Sequence, residues 1–455
     1  MSAARGGRAT VAALVAADLA FAFQQTAVVP AIPAVQHDLH ASQQWSAWLL
    51  TGYLVASSVA TPLLGKLGDR RGRKLALIGS LAGYFAASIG AALAPSIVVL
   101  IVFRSLQGLG GAIFPLTLSL ARDLLPQERV GAAVGGLTGA FGLGTAVGFG
   151  VSGVIVDALS WRYLFGVGAF VVALAVVALV LTPSVEEETR PGGVDVPGTL
   201  LLAGGLSLLL VGLTEGVSRG FGSWLVIGAF ALAAALLAGW VAVDLRVDDP
   251  LLDLRVLASP AVLLTNVTTL GLGFTLFGTY FLIPYLLESP GPHGVSAGPL
   301  GAGLYLLPSA LGQSVAGPVA GRLSGRVAPK WIVGAGMAAV AAASGLLAVW
   351  HDRPWQLVLW LLLLGAGAGT AISEISDLAT ELVDQTESGA ATSLNSTLRR
   401  FSGGIGSQID ALLLATMTVA PHVAADRAFV VAFGIGGGAA AAGAGSALAI
   451  RRPSG

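Results

Sequence analysis

The sequence predicts an all-α membrane protein with 14 transmembrane helices, arranged as two six-helix bundles with an inserted two-helix hairpin. Three observations lead to this fold class. Of the 455 residues, 55% are hydrophobic and 11% are charged, whereas a soluble domain carries about a quarter charged residues. Fourteen apolar stretches are long enough to cross a bilayer. Basic residues are concentrated on one side of these stretches.

The composition also excludes several classes of protein. The mean hydropathy of +0.83 excludes a disordered chain, a nucleic-acid-binding protein and an ordinary soluble enzyme. The chain has no cysteine, which excludes disulfides, thiolate catalysis and cysteine metal sites. Basic and acidic residues number 24 each, so no net charge steers an acidic partner to the protein. The 63 glycines are typical of membrane helices whose backbones pack closely.

A bilayer core needs roughly 20 apolar residues per helix. Runs of this length, separated by polar breaks, predict spans at 9–33, 45–65, 75–94, 96–121, 130–156, 162–182, 197–217, 222–243, 260–287, 299–321, 331–350, 355–379, 395–418 and 428–450. The first run is too long for a signal peptide and a second span follows at once, so we expect no cleavage.

The distribution of Arg and Lys predicts that both termini are cytoplasmic. The side of the membrane that holds the termini receives 19 of these residues, among them Arg399 and Arg400, and the opposite side receives 4. The positive-inside rule assigns the richer side to the cytoplasm. A miscounted helix would mix the two sets, so this distribution also supports the count of fourteen. We expect a multi-pass protein of the cell membrane, surrounded by the lipid bilayer.

Two basic turns indicate an internal repeat. Gly65–Lys74 follows the second span and Gly321–Lys330 follows the tenth, about 256 residues later, each with a proline just upstream. Repeats of half a chain are typical of transporters; coincidence between two basic turns is the alternative. If the repeat is real, helices one to six match nine to fourteen. The predicted units are then an N-terminal bundle at 1–183, a linker with the inserted helix pair at 184–245, and a C-terminal bundle at 246–455.

The first of these turns resembles a loop motif of the major facilitator superfamily. Gly65–Lys74 matches the motif G-x-x-x-D-R-x-G-R-K at every specified position. In the fourth span, Leu100–Ala112 resembles the family's fourth-helix motif, which carries a membrane arginine, here Arg104. Trp161–Phe165 is similar to the sequence that often opens the sixth helix.

The fifth span extends the resemblance. Its glycines stand at the spacing of the fifth-helix antiporter motif, with Phe149 and Ser152 where the motif has proline and glycine; they are Gly135, Gly144, Gly148 and Gly153. The whole chain resembles the 14-helix drug:proton antiporter branch, which implies the major facilitator fold. That branch usually carries an Asp two residues before a Thr in the first helix. Here Gln24 precedes Thr26, and an acid occurs earlier, at Asp18.

The resemblance implies a role for the basic turn. In the family this loop is interpreted as a latch that holds one half of the protein against the other in one access state. The residues expected to act in this conformational loop are Gly65, Asp69, Arg70, Gly72 and Arg73. Because Asp69 and its basic neighbours lie at helix ends, the helix dipole can support such a contact. The alternative is topology alone, with basic residues held inside.

Ionisable residues within spans are costly and usually functional. The predicted spans contain Asp18, Arg104, Asp157, Glu374, Asp377 and Asp410. Glu374 and Asp377 are three residues apart and share a helix face, where two acids in a low dielectric cannot both ionise easily. Carboxyl groups of this kind can carry protons across a membrane. We expect proton coupling to involve Arg104, Asp410, Glu374, Asp18 and Asp377, although solvation at a span end is the alternative for Asp377 and for Asp157.

Arg104 lies near the middle of its span and needs an acceptor, either a carboxylate or backbone carbonyls. The resemblance implies that it is the coupling arginine of the family, and a buried tie between helices is the alternative.

Five acids against one arginine within the spans favour lipophilic cations as substrates. The polar side chains expected to line a substrate cavity are Gln24, Gln25, Tyr53, Asn266, Tyr280, Tyr285 and Gln313. For each of them, packing between helices or placement at the membrane interface is the alternative. A largely apolar cavity with a few polar groups suits hydrophobic ligands.

All five histidines map to the outer side and are either sensors of external pH or solvated loop residues. No pair has metal-ligand spacing on a helix. We expect no metal and no cofactor, with the proton gradient as the energy source.

These observations favour a proton-coupled exporter of lipophilic, cationic small molecules that works by alternating access. Its expected partners are a small lipophilic substrate, protons and the lipid bilayer, without nucleic acid, and we expect a monomer. An exporter of a lipid or of a self-made natural product on the same fold is an alternative. A membrane-embedded lipid enzyme is a distant one, because the chain lacks Cys, an inward-facing His and a nucleophile–base pair. The inserted hairpin is expected to carry no chemistry.

Overall fold

The computed structural model describes residues 2–124, 127–182, 195–247, 260–288, 298–324, 326–381, 388–420 and 423–450. Within these ranges the chain is helical almost throughout, with one short pair of strands.

Eight helices form the N-terminal half. They are α1 (Ser2–Ala27), α2 (Ile32–Asp38), α3 (Gln43–Arg71), α4 (Arg73–Ala92), α5 (Ile97–Leu106), α6 (Ile113–Leu124), α7 (Gln127–Ala158) and α8 (Trp161–Leu181). Short 3-10 segments, Val29–Ala31 and Gln107–Ala112, join α1 to α2 and α5 to α6. Each joined pair therefore crosses the membrane once, which makes six crossings.

The remaining elements are the inserted hairpin and the C-terminal half. The hairpin is α9 (Val196–Arg219) and α10 (Trp224–Asp244). The C-terminal elements are α11 (Pro260–Glu288), α12 (Pro299–Ser324), α13 (Pro329–Val349), α14 (Pro354–Glu381), α15 (Ser388–Thr416), β1 (Thr418–Ala420), β2 (Val423–Ala424) and α16 (Asp426–Ala449). β1 and β2 pair antiparallel, with Thr418 opposite Ala424.

Local sequence explains where many of these helices begin. In the C-terminal half, α11, α12, α13 and α14 each start with a proline, a residue suited to the first helical turn because it needs no hydrogen-bond acceptor there. Elsewhere a side chain caps the helix: the Ser42 hydroxyl accepts from the Trp45 amide at 3.3 Å, and the Asp195 carboxylate accepts from the Gly198 amide at 2.8 Å.

The predicted fold class is confirmed: the molecule consists of two six-helix bundles and an inserted helix pair. In the described part of the chain, 12 helical segments are long and apolar enough to span a membrane. The two further crossings are α12 and α15. Pro308 and Pro318 lie inside α12, and α15 contains Arg399, Arg400 and Asp410, which lowers their hydropathy.

The halves meet mainly at two pairs of helices, α3 with α15 and α7 with α12. The α7–α12 contact depends on small residues. A Cβ atom on Gly153 would lie 2.0 Å from the Leu300 Cα, and one on Gly303 would lie 2.1 Å from the Phe149 carbonyl oxygen. On its other face, α7 packs equally closely on α1 through Gly144 and Gly148. The contacts of Gly135, the remaining glycine of the predicted motif, lie outside what the structure describes.

The inserted pair packs beside the α3–α15 contact. Helix α9 lies against both α3 and α15, and the Trp48 indole on α3 donates to the Thr214 hydroxyl on α9 at 2.8 Å. Helix α10 is largely exposed, with Trp224, Ile227 and Leu232 on its surface. The hairpin is therefore attached to the bundles through α9, and the exposed apolar side chains of α10 are suited to contact lipid.

The glycine contacts predict opposite effects for one substitution at two places on α7. Gly153→Ala inserts a methyl group into the Leu300 backbone and should destabilise the protein by about 1–3 kcal/mol. Gly139→Ala meets no atom within 4 Å and should be neutral or slightly stabilising, because alanine favours helix. Thermal unfolding of the purified variants measures both effects. Equal melting temperatures for the two variants would contradict the close α7–α12 approach.

Candidate functional site

Arg104 lies at the end of α5 and is completely buried. Its Nε donates to the Leu49 carbonyl at 3.1 Å, and its Nη2 donates to the Gln25 carbonyl at 3.0 Å. Its Nη1 donates to the Gln107 side-chain oxygen at 2.8 Å. Among the described residues no carboxylate bonds this guanidinium. The sequence left open whether Arg104 donates to a carboxylate or to backbone carbonyls, and in the structure it donates to backbone carbonyls.

A buried polar network extends from Arg104 through the N-terminal bundle. The Gln107 amide donates to the Ser88 hydroxyl at 2.7 Å, and the Gln24 amide donates to the same hydroxyl at 2.9 Å. Gln24 also faces Phe165 and Gly168 of α8. The Gln24 side chain is thus enclosed by α4 and α8 inside one bundle. The Gln25 side chain beside it is half-buried.

Tyr53 of α3 lies against Arg104. Its ring lies under the Arg104 guanidinium, whose central carbon is 4.3 Å from the ring centroid. Its hydroxyl is buried and has no partner among the described residues other than Ser57. A cation over a desolvated tyrosine face is worth roughly 2 kcal/mol, so Tyr53 helps to hold the buried Arg104 charge.

The three described acids that the sequence analysis places deepest are separate from one another. Asp18 on α1 accepts from the Thr117 hydroxyl of α6, at 2.9 and 3.0 Å to its two oxygens. Asp410 on α15 lies against Gly278 of α11, and its Oδ1 has no hydrogen-bond partner among the described residues.

Glu374 on α14 is fully buried, and the Ser373 hydroxyl is 3.4 Å from its Oε1. Asp377 belongs to the same helix, but its side chain lies outside the described residues.

Among the predicted cavity residues, Tyr280 lies between the bundles. Its ring packs edge-on against Phe149 of α7 with centroids 5.4 Å apart, and its hydroxyl is 3.2 Å from the Ser309 hydroxyl of α12. Tyr285 donates to Gln36 of α2 at 2.5 Å, also across the bundles.

The remaining two cavity candidates do not join these contacts. Asn266 is buried near the start of α11, and Gln313 is half-buried in the middle of α12.

Arg400 is a functional candidate that the sequence analysis missed. The sequence analysis counted Arg400 with the cytoplasmic basic residues, although the predicted span 395–418 contains it. In the structure α15 begins at Ser388, seven residues before that span, and Arg400 lies inside the helix at 8% exposure. The count of five acids against one arginine is wrong, because this span also contains Arg399 and Arg400, and Asp157 is exposed at the end of α7. The glycines at 403, 404 and 406 indicated close packing nearby.

The conformational loop is mostly helix. Helix α3 continues to Arg71, so Gly65, Asp69 and Arg70 are helical, and Gly72 makes the turn at φ 100°. Glycine is favoured there because the left-handed region strains other residues. The Arg73 guanidinium pairs with Asp69 at 3.0 Å across the turn. The Lys74 ammonium donates to the Thr182 carbonyl at 2.6 Å, a contact within the N-terminal half.

One histidine departs from the expected solvated loops. His351 is buried, 2.7 Å from the Leu347 carbonyl and 2.8 Å from the Asp426 carboxylate, which ties α13 to α16. His37 and His40 are exposed, whereas His293 and His422 lie outside the described residues. The described residues contain no group of three or more metal-ligating side chains.

Comparison with known proteins gives consistent matches. The sequence model of the Major Facilitator Superfamily matches residues 14–407. A tetracenomycin C resistance and export protein of Streptomyces glaucescens is 30% identical over 90% of this chain and 76% of its own length. A puromycin resistance protein of Streptomyces alboniger is 34% identical over 86% of this chain and 79% of its own length. A multidrug resistance protein B homolog of Mycobacterium tuberculosis is 30% identical over 83% of this chain and 70% of its own length.

Solved structures match the fold over nearly the whole chain. A nucleoside transporter superimposes with a TM-score of 0.70 at 13% identity, covering 98% of this chain and 100% of its own. The xylose transporter of E. coli, in a partially occluded inward open conformation, superimposes with a TM-score of 0.63 at 15% identity, covering 96% of this chain and 97% of its own.

The buried network predicts the effect of one uncharged substitution. Gln107→Leu keeps the approximate side-chain size but removes the acceptor for Arg104 Nη1 and the donor to Ser88. Leaving a buried charged donor unpaired should cost about 1–3 kcal/mol. The same change at Gln44, partly exposed at the start of α3, is the matched control. Thermal unfolding of both variants tests the network, and a Gln107→Leu protein as stable as Gln44→Leu would argue against it.

Proposed function

Because this chain belongs to the major facilitator superfamily, we propose that it is a proton-coupled exporter of lipophilic small molecules that works by alternating access. Its relatives are transporters and resistance proteins, and the chain is a multi-pass membrane transporter rather than an enzyme.

The observation that carries proton coupling is the environment of Asp410. This carboxyl group is 2% exposed, lies against the bare backbone of Gly278, and has an oxygen without a donor. Burying an ionised carboxylate without a partner costs several kcal/mol, and binding a proton removes that cost. A carboxyl group that alternates between such a place and water takes up and releases a proton, which is the step that coupled export requires.

We assign secondary roles in coupling to the other buried groups. Glu374 and Asp18 are fully buried acids on the two halves, and Arg104 is held by a bundle-internal network. Asp377 completes this set on the same helix as Glu374. Our proposal is that Arg104 sets the electrostatic field of the N-terminal bundle, while the acids exchange protons.

The moving parts in this proposal are the bundles at 1–183 and 246–455, which rock about the central contact while 184–245 follows the first. The conformational loop, with its Asp69–Arg73 pair, supports the α3–α4 corner in one access state. We further propose a monomer in the cell membrane with both termini in the cytoplasm, driven by the proton gradient without metal or cofactor.

Lipophilic substrates are supported by the named substrates of the relatives and by the apolar composition of the chain. Three buried acids, Asp18, Glu374 and Asp410, make lipophilic cations the first class to test. Candidate contacts between the bundles are Tyr280 and Gln313, with Asn266, Gln25, Gln24 and Tyr53 as further candidates. Two relatives are named for resistance to tetracenomycin C and puromycin, which favours export of a self-made natural product as the second candidate function.

Reconstitution into liposomes with an imposed pH gradient tests the proposal. Wild-type protein should move a lipophilic cation such as ethidium against its gradient only while the pH gradient lasts. Asp410→Asn and Arg104→Ala should both reduce this transport to the leak of empty liposomes, because each removes a group on which coupling depends. Asp352→Asn, the same kind of change at an exposed position outside the helices, should transport like wild type.

Insertion of each variant is checked by its yield and its elution as a single species in detergent. Full transport by correctly inserted Asp410→Asn and Arg104→Ala would refute the assignment of these residues.

A further inference from the structure

The α3–α15 contact is polar, unlike the glycine-lined α7–α12 contact. The Arg400 guanidinium donates through Nη1 to the Ser57 carbonyl at 3.3 Å and to the Thr61 hydroxyl, and through Nη2 to the Gly111 carbonyl at 3.2 Å. One arginine of the C-terminal bundle therefore contacts two elements of the N-terminal bundle, α3 and the Gln107–Ala112 segment.

Two neighbouring contacts complete a polar seam, which we define as the contacts of Thr51, Ser58 and Arg400 between α3 and α15. The Thr397 hydroxyl donates to the Ser58 carbonyl at 2.9 Å, and the Thr51 and Ser407 hydroxyls lie 2.7 Å apart. Arg400 is the charged group of this seam, and its other donors and acceptors are neutral. When the bundles separate, each of these groups must find a new hydrogen-bond partner.

The surroundings of Arg400 contain a buried hydroxyl pair. The Ser57 and Tyr53 hydroxyls, one helical turn apart on α3, are fully buried and have no partner among the described residues other than each other. Two hydroxyls that face only each other share one hydrogen bond, so at least one of them has no acceptor for its proton. The absence of a side chain on Gly111 lets Ser57 approach Arg400: a Cβ on Gly111 would lie 2.9 Å from Arg400 Nη1 and 2.0 Å from Ser57 Oγ. A guanidinium and a hydroxyl pair with a donor to spare thus lie together between the bundles.

These groups share a preference for a negatively charged oxygen. Arg400 bonds only neutral oxygens in the described structure, although a buried guanidinium gains most from an ionised oxygen, whose bonds are roughly twice as strong. An oxyanion would satisfy Arg400, Ser57 and Tyr53 together, whereas a cation would satisfy none of them.

We propose that Arg400, with Ser57 and Tyr53, binds the oxyanion of an acidic lipophilic substrate, a substrate class additional to the cations considered above. The anion replaces the Ser57 and Gly111 carbonyls as the partner of the guanidinium. Binding therefore removes contacts of the polar seam and favours separation of α3 from α15. This inference rests on the proposed export function for its purpose, but anion binding itself requires no proton gradient.

Equilibrium binding to purified protein in detergent, without any gradient, tests the site. The probes are anilinonaphthalene sulfonate as a lipophilic anion and tetraphenylphosphonium as a lipophilic cation of similar bulk. Arg400→Gln should weaken anion binding about 10–100-fold, the loss expected for charge-assisted hydrogen bonds, and leave cation binding unchanged. Arg399→Gln removes the same charge from the neighbouring position and should bind both probes like wild type.

A wild-type protein that does not bind the anion, an Arg400→Gln protein that binds it equally well, or equal losses for both probes would overturn the proposal. Retained cation binding in Arg400→Gln also shows that this variant is folded. Because the binding assay has no gradient, these outcomes are independent of whether the export assay succeeds.

A second measurement leaves Arg400 in place. Since the chain contains no cysteine, the pair Thr51→Cys and Ser407→Cys, whose native hydroxyls lie 2.7 Å apart, reports on the polar seam without background. Saturating anion should slow disulfide formation by this pair severalfold, while saturating cation should not. An unchanged rate with the anion would contradict the replacement of the seam contacts.

Discussion

The cost of placing charge inside a membrane protein governs this structure. Arg104 and Arg400 are both buried, as are Asp18, Glu374 and Asp410. In the described part of the chain, the two arginines donate to backbone carbonyls, a hydroxyl and a side-chain amide oxygen. Because these acceptors are neutral, the contacts of the arginines can change without a change in the charge of an acid. A proton can satisfy an acid and an oxyanion can satisfy an arginine, so the arrangement leaves both open to ligands.

The two contacts between the bundles suit different tasks. At α7–α12, glycine and backbone atoms touch with no room for a methyl group. This contact therefore allows close packing of the two helix backbones. At α3–α15, the bonds are made by hydroxyls, carbonyls and one guanidinium, which exchange partners readily when water or substrate enters. The inserted hairpin is tied to α3 by the Trp48–Thr214 bond and lies beside the second contact. Rocking of one bundle against the other is therefore expected to separate mainly the polar side.

Sequence reasoning predicted the helices and their grouping because hydropathy and the positive-inside rule act over whole spans. It also identified Arg104, since a charge in the middle of an apolar run is conspicuous. It failed at the start of α15, where Arg400 follows the polar residues Asn395, Ser396 and Thr397. Arg400 was counted with the cytoplasmic basic residues although it lies inside the predicted span, and the structure shows that neighbouring helices bury it. It also could not tell that His351 is buried beside Asp426, or that Gln24 faces Ser88 inside one bundle. Such contacts depend on helix rotation and on partners distant in sequence, which no single helix pattern contains.

Exchange of substrate for protons through buried carboxyl groups is measured best by recording protons rather than substrate. Proteoliposomes loaded with a pH-sensitive dye and given no initial pH gradient receive a sudden gradient of a transported substrate. If the two movements are coupled, the interior pH changes in the direction of protons moving opposite to the substrate, and the change continues until the proton gradient balances the substrate gradient. Substrate accumulation with no change of interior pH would contradict it.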